Sequence, residues 1–266
     1  MTQPGFFTKL QNRGRIKIAG PDSGTFLQGL ITADINALTD DRPLLYSCLL
    51  TSNGKFLHDF FVSGKDGQFT LDCEGNERAE NLAKTLSIYK LRAQVEISCE
   101  PEVPVFALIN HNVSSAHPDP RNPKMGGRAF NKPEGCSEGS FEDWDRHRIS
   151  LFIPDGSRDM TPETSTLLEF GIDSLNGVSF DKGCYLGQEL TARMHYRGLV
   201  KKHVCLIQGE SMPPPGAPLF SASHKNIGEM LSSCTNIGLC LIKKEYMETD
   251  VFTDPESALL KIRRRC

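Results

Sequence analysis

The sequence predicts an α+β protein that ends in a small all-β barrel or sandwich. Three observations carry that expectation. Strand-like alternation and helix-like spacing succeed one another before about residue 199 without the strand–helix–strand rhythm of a doubly wound sheet. After it come four short apolar runs, Val200 to Gln208, Ile227 to Leu231, Ile237 to Ile242 and Ala258 to Ile262, separated by Pro213-Pro214-Pro215-Gly216 and polar stretches. The 266 residues, 38% hydrophobic, suffice for two domains or one large one with a substantial core. The expected division is residues 1–198 and 199–266.

Arg15-Ile16-Lys17-Ile18-Ala19 alternates as a strand. Asp22 or Ser23 then caps a short helix carrying Phe26, Leu27 and Leu30. Residues 44–50 lead into Ser52-Asn53-Gly54-Lys55, a hairpin signal because Asn-Gly accepts positive φ at both turn positions. On the return strand, Leu57, Asp59 and Phe61 share one face; Phe56, His58, Phe60 and Val62 share the other. Asp59 therefore lies among apolar neighbours, where a carboxylate is costly unless backbone, an arginine or a ligand satisfies it. Gly64-Lys65-Asp66-Gly67 forms another turn before a strand from Gln68 to Cys73. Asn76 caps a helix whose Ala79, Leu82, Ala83 and Leu86 share one face, and Ala93, Val95 and Ile97 alternate beyond it. Residues 110–140, including His111 and Asn112 and rich in Pro and Gly, form a long irregular connection. A helix from Trp144 to Ile149, a turn at Pro154-Asp155-Gly156 and a short helix from Leu167 to Leu175 carrying Glu169 complete the first region.

The stretch with most chemistry is Asp181-Lys182-Gly183-Cys184-Tyr185-Leu186-Gly187-Gln188-Glu189, followed by a helical segment. Gly183 and Gly187 permit tight or left-handed backbone, which places Cys184 on a constrained loop. A thiol beside a lysine and near a helix N-terminus is favoured as thiolate, while a generic free cysteine is more often a small core residue. Glu189, Arg193 and Arg197 form a charged stripe with the carboxylate on the N-terminal side, where i,i+4 pairing works best. Arg193, Arg197, Lys201 and Lys202 make this neighbourhood locally basic, suited to a small anion or a phosphate backbone, although a solvated helix face is the ordinary reading of so short a run.

Composition and missing motifs exclude several function classes. The net charge of −3 argues against a broad nucleic-acid surface. No apolar run reaches the 18 or so residues of a membrane span, and the N-terminus lacks the apolar region of a secretory signal. The nine cysteines form no C-x-x-C, and even Cys234 and Cys240 lack ligand spacing, so no metal site and a reducing compartment are expected. Nucleotide-binding glycine motifs, H-E-x-x-H and G-x-S-x-G are absent.

Lys182-Gly183-Cys184-Tyr185-x-Gly187-Gln188-Glu189, with Arg193 and Arg197-Gly198, resembles the signature of the YgfZ-type folate-binding proteins, iron–sulfur cluster assembly factors related to the glycine cleavage T-protein, an aminomethyltransferase. Gly20-x-Asp22-Ser23-x-x-Phe26-Leu27-Gln28-Gly29, Leu50-Thr51-x-x-Gly54-Lys55-x-x-x-Asp59, Asp119-Pro120-Arg121 with Gly127-Arg128, and Leu175-Asn176-Gly177-Val178 agree in order and spacing. The resemblance implies interleaved α+β subdomains around a central channel, a C-terminal β-barrel, and tetrahydrofolate as ligand. It implies that Glu169 and Asp59 orient the pterin, that Gln188, Glu189, Arg193 and Arg197 help bind the folate, and that Cys184 with Lys182 forms the reactive centre. T-proteins carry paired aspartates where this chain has His58-Asp59, and they lack the Lys-Gly-Cys loop; both departures favour an assembly factor. Phe152 stands where a glycine is usual, and Phe170 where a small residue is. Either phenylalanine can narrow the channel.

The resulting expectation is a cytoplasmic factor, or one of the mitochondrial matrix in a eukaryote, that binds tetrahydrofolate and helps assemble or repair clusters in client enzymes, including tRNA-thiolating ones. Its partners are iron–sulfur assembly proteins or those clients, without a membrane. Whether it turns over a substrate is left open. A folate-dependent one-carbon transferase or demethylase is the rival, and tRNA contact through residues 193–203 a less favoured third reading.

Overall fold

Two five-stranded sheets interleave along the chain, and a closed six-stranded barrel follows them. The computed structural model describes residues 5–110, 116–253 and 259–263; His111, Asn112 and Ala258 fall outside the described residues. Strands β1 (Phe6–Lys9) and β2 (Arg13–Ala19) precede helix α1 (Ser23–Gln28). Strands β3 (Leu45–Leu50), β4 (Phe56–Lys65) and β5 (Gln68–Glu74), helix α2 (Glu77–Lys90) and strand β6 (Glu96–Glu100) follow. Next come β7 (Phe106–Ile109), β8 (His117–Pro118), β9 (Gly127–Ala129) and β10 (Ser137–Glu138), then helices α3 (Phe141–Ser150), α4 (Gly156–Asp159) and α5 (Gln188–Arg197). The barrel comprises β11 (Lys202–Gln208), β12 (Pro218–Phe220), β13 (Asn226–Cys234), β14 (Ile237–Lys243), β15 (Val251–Phe252) and β16 (Leu259–Arg263). One sheet runs β10-β1-β7-β9-β8, the other β3-β4-β5-β2-β6, and the barrel β11-β14-β13-β12-β15-β16.

Several local expectations change. Only Gly54 of the Asn53-Gly54 pair takes positive φ, and residues 51–55 form a longer loop between the paired Leu50 and Phe56. The two-residue turn with both central residues left-handed is Asp66-Gly67, φ 53° and 77°, between the paired Lys65 and Gln68. The register slips between Leu49 and Leu50, so Leu57 packs with Phe60 and Val62, and Phe56 with Phe61, each on the face opposite to the one expected. Asp22 and Asn76 precede their helices without capping them through their side chains; an Asp22 oxygen accepts from the Gln94 N–H at 2.7 Å. The irregular connection contains β8, β9 and β10, each too short for alternation to reveal. Ser140 and Asp143 form a reciprocal capping box that starts α3 before Trp144.

One apolar core lies between the second sheet and its helices, with Ile16, Leu27, Phe60, Val62, Leu71 and Leu82. A larger one is common to all three units: Tyr46 and Phe61 from the second sheet, Ala107 and Ile109 from the first, Trp144 from α3, and Leu206 and Leu241 from the barrel. Alternation along β11 turns Cys205 and Ile207 into the barrel and Leu206 out toward this shared core. Each such aliphatic or aromatic side chain contributes about 1.5–3 kcal/mol by leaving water.

Buried ion pairs fix the junctions. Arg13 from β2 and Arg128 from β9 converge on Asp72 of β5, joining the two sheets; Arg13 Nε donates to Oδ1 at 2.8 Å and Arg128 Nε to Oδ2 at 3.1 Å. Arg148 of α3, fully buried, donates to Asp145 at 2.7 Å, Asp159 at 2.9 Å and Ser232 of β13 at 2.6 Å, joining α3 and α4 to the barrel.

Candidate functional site

The cysteine loop is fastened on both sides of Cys184 to residues 29–33, the segment that follows α1. Lys182 Nζ donates to the carbonyls of Ile31 and Ala33, each at 2.8 Å, and stands 5.2 Å from the centre of the Tyr185 ring. The Leu186 N–H donates to Gly29 O at 3.0 Å. Gly187 has φ 76°, and a Cβ there would fall 2.4 Å from Thr51 O, so only glycine permits this approach of loop to hairpin. Gly183, by contrast, faces open space with an ordinary φ. Lys182 and Tyr185 are buried, and Cys184 between them is exposed.

This arrangement gives Lys182 an anchoring contact that the sequence did not show. Its ammonium is committed to two backbone carbonyls, and burial lowers its pKa from 10.5 to about 8. It is a positioning residue that anchors the loop. Cys184 precedes Gly187, the cap of α5, and its thiol takes no part in capping that helix. Glu189 and Arg193 do meet, at 3.7 Å, but as an exposed pair that contributes little. Gln188 is half-buried at the start of α5, its N–H donating to Tyr185 O, and Arg197 is exposed at its end.

A separate chamber of about 210 Å³ lies where the sheets meet α3 and α4, its lining including Arg13, Asp59, Glu74, Arg121, Trp144 and Arg158. It shares residues 10–13 and Phe141 with a wider groove of about 700 Å³. Gly156, at φ 47°, brings the start of α4 against two carboxylates; a Cβ there would fall 2.2 Å from Glu74 Oε1 and 2.9 Å from Asp59 Oδ1. Glu74 accepts from Ser157 and Arg78. Asp59 accepts from the Tyr46 hydroxyl at 3.0 Å; burial, reinforced by Glu74, pushes its carboxyl up to about 6. The Trp144 indole N–H, also buried, has no hydrogen-bond partner among the described residues. Of the chamber's lining, Asp59, Arg121 and Arg128 lie in stretches the sequence singled out, Trp144 was legible only as the start of a helix, and Arg13 and Glu74 gave no signal.

The other predicted ligands are not gathered here. His58 points to the opposite face from Asp59, its Nε2 2.9 Å from Asn81 Oδ1, and burial lowers it to about 4, so it is neutral. Glu169 lies on a 3-10 turn, Leu167–Phe170, packed against β11 and α5, where its carboxylate accepts from Thr166 at 2.9 Å; it lines neither chamber nor groove. Phe170 is buried in the shared core. Phe152 adopts φ 59°, the left-handed geometry that suits glycine, and packs against that core from outside the chamber.

Asp59 and Glu169, the two residues expected to orient the pterin, therefore do not line one cavity.

The family model for the CAF17 C-terminal beta-barrel domain matches residues 201–262, which include most of the closed barrel. The proteins named iron-sulfur cluster assembly factor IBA57, mitochondrial, of Homo sapiens and Mus musculus are each 30% identical, over 90% of this chain and 78% of their own length. An IBA57 homolog of Pyricularia oryzae is 28% identical over 95% of this chain and 75% of its own. The crystal structure of the glycine cleavage system aminomethyltransferase T from Bartonella henselae aligns with a TM-score of 0.77 over 97% of this chain and 84% of that one. At 15% identity, that likeness establishes the T-protein-like fold and nothing about activity.

Proposed function

Because this chain belongs to the IBA57 family of iron–sulfur cluster assembly factors, we propose that it assists cluster assembly by offering the thiol of Cys184 to a cluster held jointly with a partner protein. The single observation that carries this reading is the exposure of Cys184 on a loop whose flanking residues are fixed and buried. Every other described cysteine is buried or half-buried. No group of three or more His, Cys, Asp or Glu among the described residues could hold a metal. Clusters held by thiolates usually take four ligands. This chain supplies one, so the partner supplies the rest, and the cluster is cargo rather than a resident group.

The chain's own part is geometric. Lys182 and the Leu186 N–H fix the loop, so Cys184 is presented without ordering a flexible segment at each encounter. The thiol gives its proton to water, and its sulfur bonds to iron at the fourth position as an exchangeable ligand such as water or a small thiolate leaves. The relatives' mitochondrial setting supports the matrix over the cytoplasm for this chain. No helix among the described residues is long and apolar enough to cross a membrane. Folate binding and one-carbon transfer are not carried forward, since Asp59 and Glu169 do not converge.

The test is anaerobic cluster maturation of an apo iron–sulfur enzyme by purified assembly components, with wild type or Cys184→Ser. Wild type is expected to raise the recipient's cluster content, and Cys184→Ser to give the level seen without the factor. Full support by the serine variant would sink the proposal.

A further inference from the structure

The last turn of α5 carries a surface feature that the cysteine reading leaves unused. Phe180 and His195 stack with ring centres 3.7 Å apart and planes at 19°. Tyr196 stands edge-on to both, at 6.3 Å from Phe180 and 5.0 Å from His195. Yet Tyr196 is 70% exposed, and Leu199, just past the helix, is 43% exposed. Arg193, Arg197 and Lys201, close to His195 and Tyr196 in the chain, are exposed. Arg197 and Lys201 have no ion pair among the described residues, and the carboxylate facing Arg193 is 3.7 Å away and itself 91% exposed.

Tyrosine and arginine around an apolar centre are the composition of binding hot spots. The rings already order one another, so little side-chain entropy remains to be lost on docking. We infer that this aromatic and basic ridge docks the protein that carries the cluster, and that this partner presents an acidic rim with an apolar recess for Tyr196. The inference rests on the reading of Cys184 given above. Two observations select that occupant. First, the helix that bears the ridge begins at Gly187, where the cysteine loop ends, and its 10 residues at 1.5 Å each set loop and ridge about 15 Å apart, within the width of one protein interface. Second, a cluster held by thiolates is anionic, so cations on and just beyond the helix that starts at the cysteine loop complement both the cargo and an acidic carrier. RNA is the less suitable occupant. Phe180 and His195 already spend ring faces on each other, and so few cations fall short of the several phosphate contacts on which such binding depends.

The experiment uses the full chain and one probe, an acidic cysteine-ligated [2Fe–2S] carrier protein, apo and loaded, with anaerobic interferometry as readout. The variants are Tyr196→Ala, the double variant Arg193→Glu with Arg197→Glu, and Cys184→Ser; circular dichroism checks that each is folded. Tyr196→Ala and the double variant are each expected to weaken both forms of the carrier at least tenfold, and wild-type binding to weaken as salt rises. Cys184→Ser is expected to weaken the loaded form alone. If wild type binds neither form, or the ridge variants bind like wild type, the docking face is wrong. Cys184→Ser losing the loaded form in that second case leaves the cysteine reading standing; Cys184→Ser matching wild type there sinks the cysteine reading as well. Charge-sensitive binding to a single-stranded RNA oligonucleotide, with no binding to the carrier, assigns the ridge to RNA and overturns the inference.

Discussion

Lys182→Met keeps the length and apolar stem of the side chain and removes its charge. Two hydrogen bonds from the ammonium to Ile31 and Ala33 carbonyls disappear, worth about 1.5–3 kcal/mol each for a charged donor. Against that stands the cost of burying the charge. A pKa lowered from 10.5 to about 8 corresponds to about 3 kcal/mol at neutral pH. The two contributions nearly cancel, leaving a loss of roughly 0–3 kcal/mol at pH 7, so the size of the change alone decides nothing. Its pH dependence does. A lysine with a lowered folded pKa destabilises the fold while it is charged, and that penalty is relieved as pH rises from about 8 toward 10.5. Urea unfolding at pH 7 and pH 10, followed by circular dichroism, should show wild type gaining up to about 3 kcal/mol relative to Lys182→Met over that interval. In parallel, iodoacetamide labelling of Cys184 at pH 7, read by mass spectrometry, should differ by no more than about twofold between them. A tenfold loss of labelling with no difference in the pH dependence of unfolding would refute the anchoring role and restore Lys182 as an activator of the thiol.

Asp59→Asn tests the chamber. A carboxyl raised from 3.8 to about 6 stabilises the fold below pH 3.8, and that contribution is lost as pH rises through 6. The asparagine variant should therefore equal or exceed wild type in stability at pH 7 and lose its advantage toward pH 4, as thermal melts across that range would show; the opposite slope would mean that Asp59 is held ionised. Calorimetric titration of tetrahydrofolate into the wild type is expected to show no binding, and binding abolished by Glu169→Ala would overturn the account of the chamber.

Most of the architecture was legible because long strands announce themselves: Ile16 and Ile18 alternate with charges, and the barrel runs are apolar between turn residues. The short strands of the middle region were hidden, since two or three residues such as Gly127–Ala129 carry no period and are fixed by pairing with β7. The bulge at Leu57, opposite Leu50, was equally invisible, and it alone moved Phe56 and Leu57 to each other's expected faces. At the site, the placing of Cys184 on a constrained loop and the left-handed Gly187 follow from local pattern, while the exposure of the thiol does not. The partner of Lys182 does not, because the carbonyls of Ile31 and Ala33 lie far upstream in the chain and only the fold brings them there. The same holds for Glu169, whose place on a sequence motif says nothing of which cavity it faces.

The interleaving of the two sheets bears on how the chain emerges during synthesis. β1 pairs with β7 and β10, strands that lie beyond the whole of the other sheet. The strands from β2 to β6 can complete their sheet with α1 and α2 while Phe6 and Phe7 still lack partners. An apolar strand left unpaired through that interval is a natural client for a chaperone.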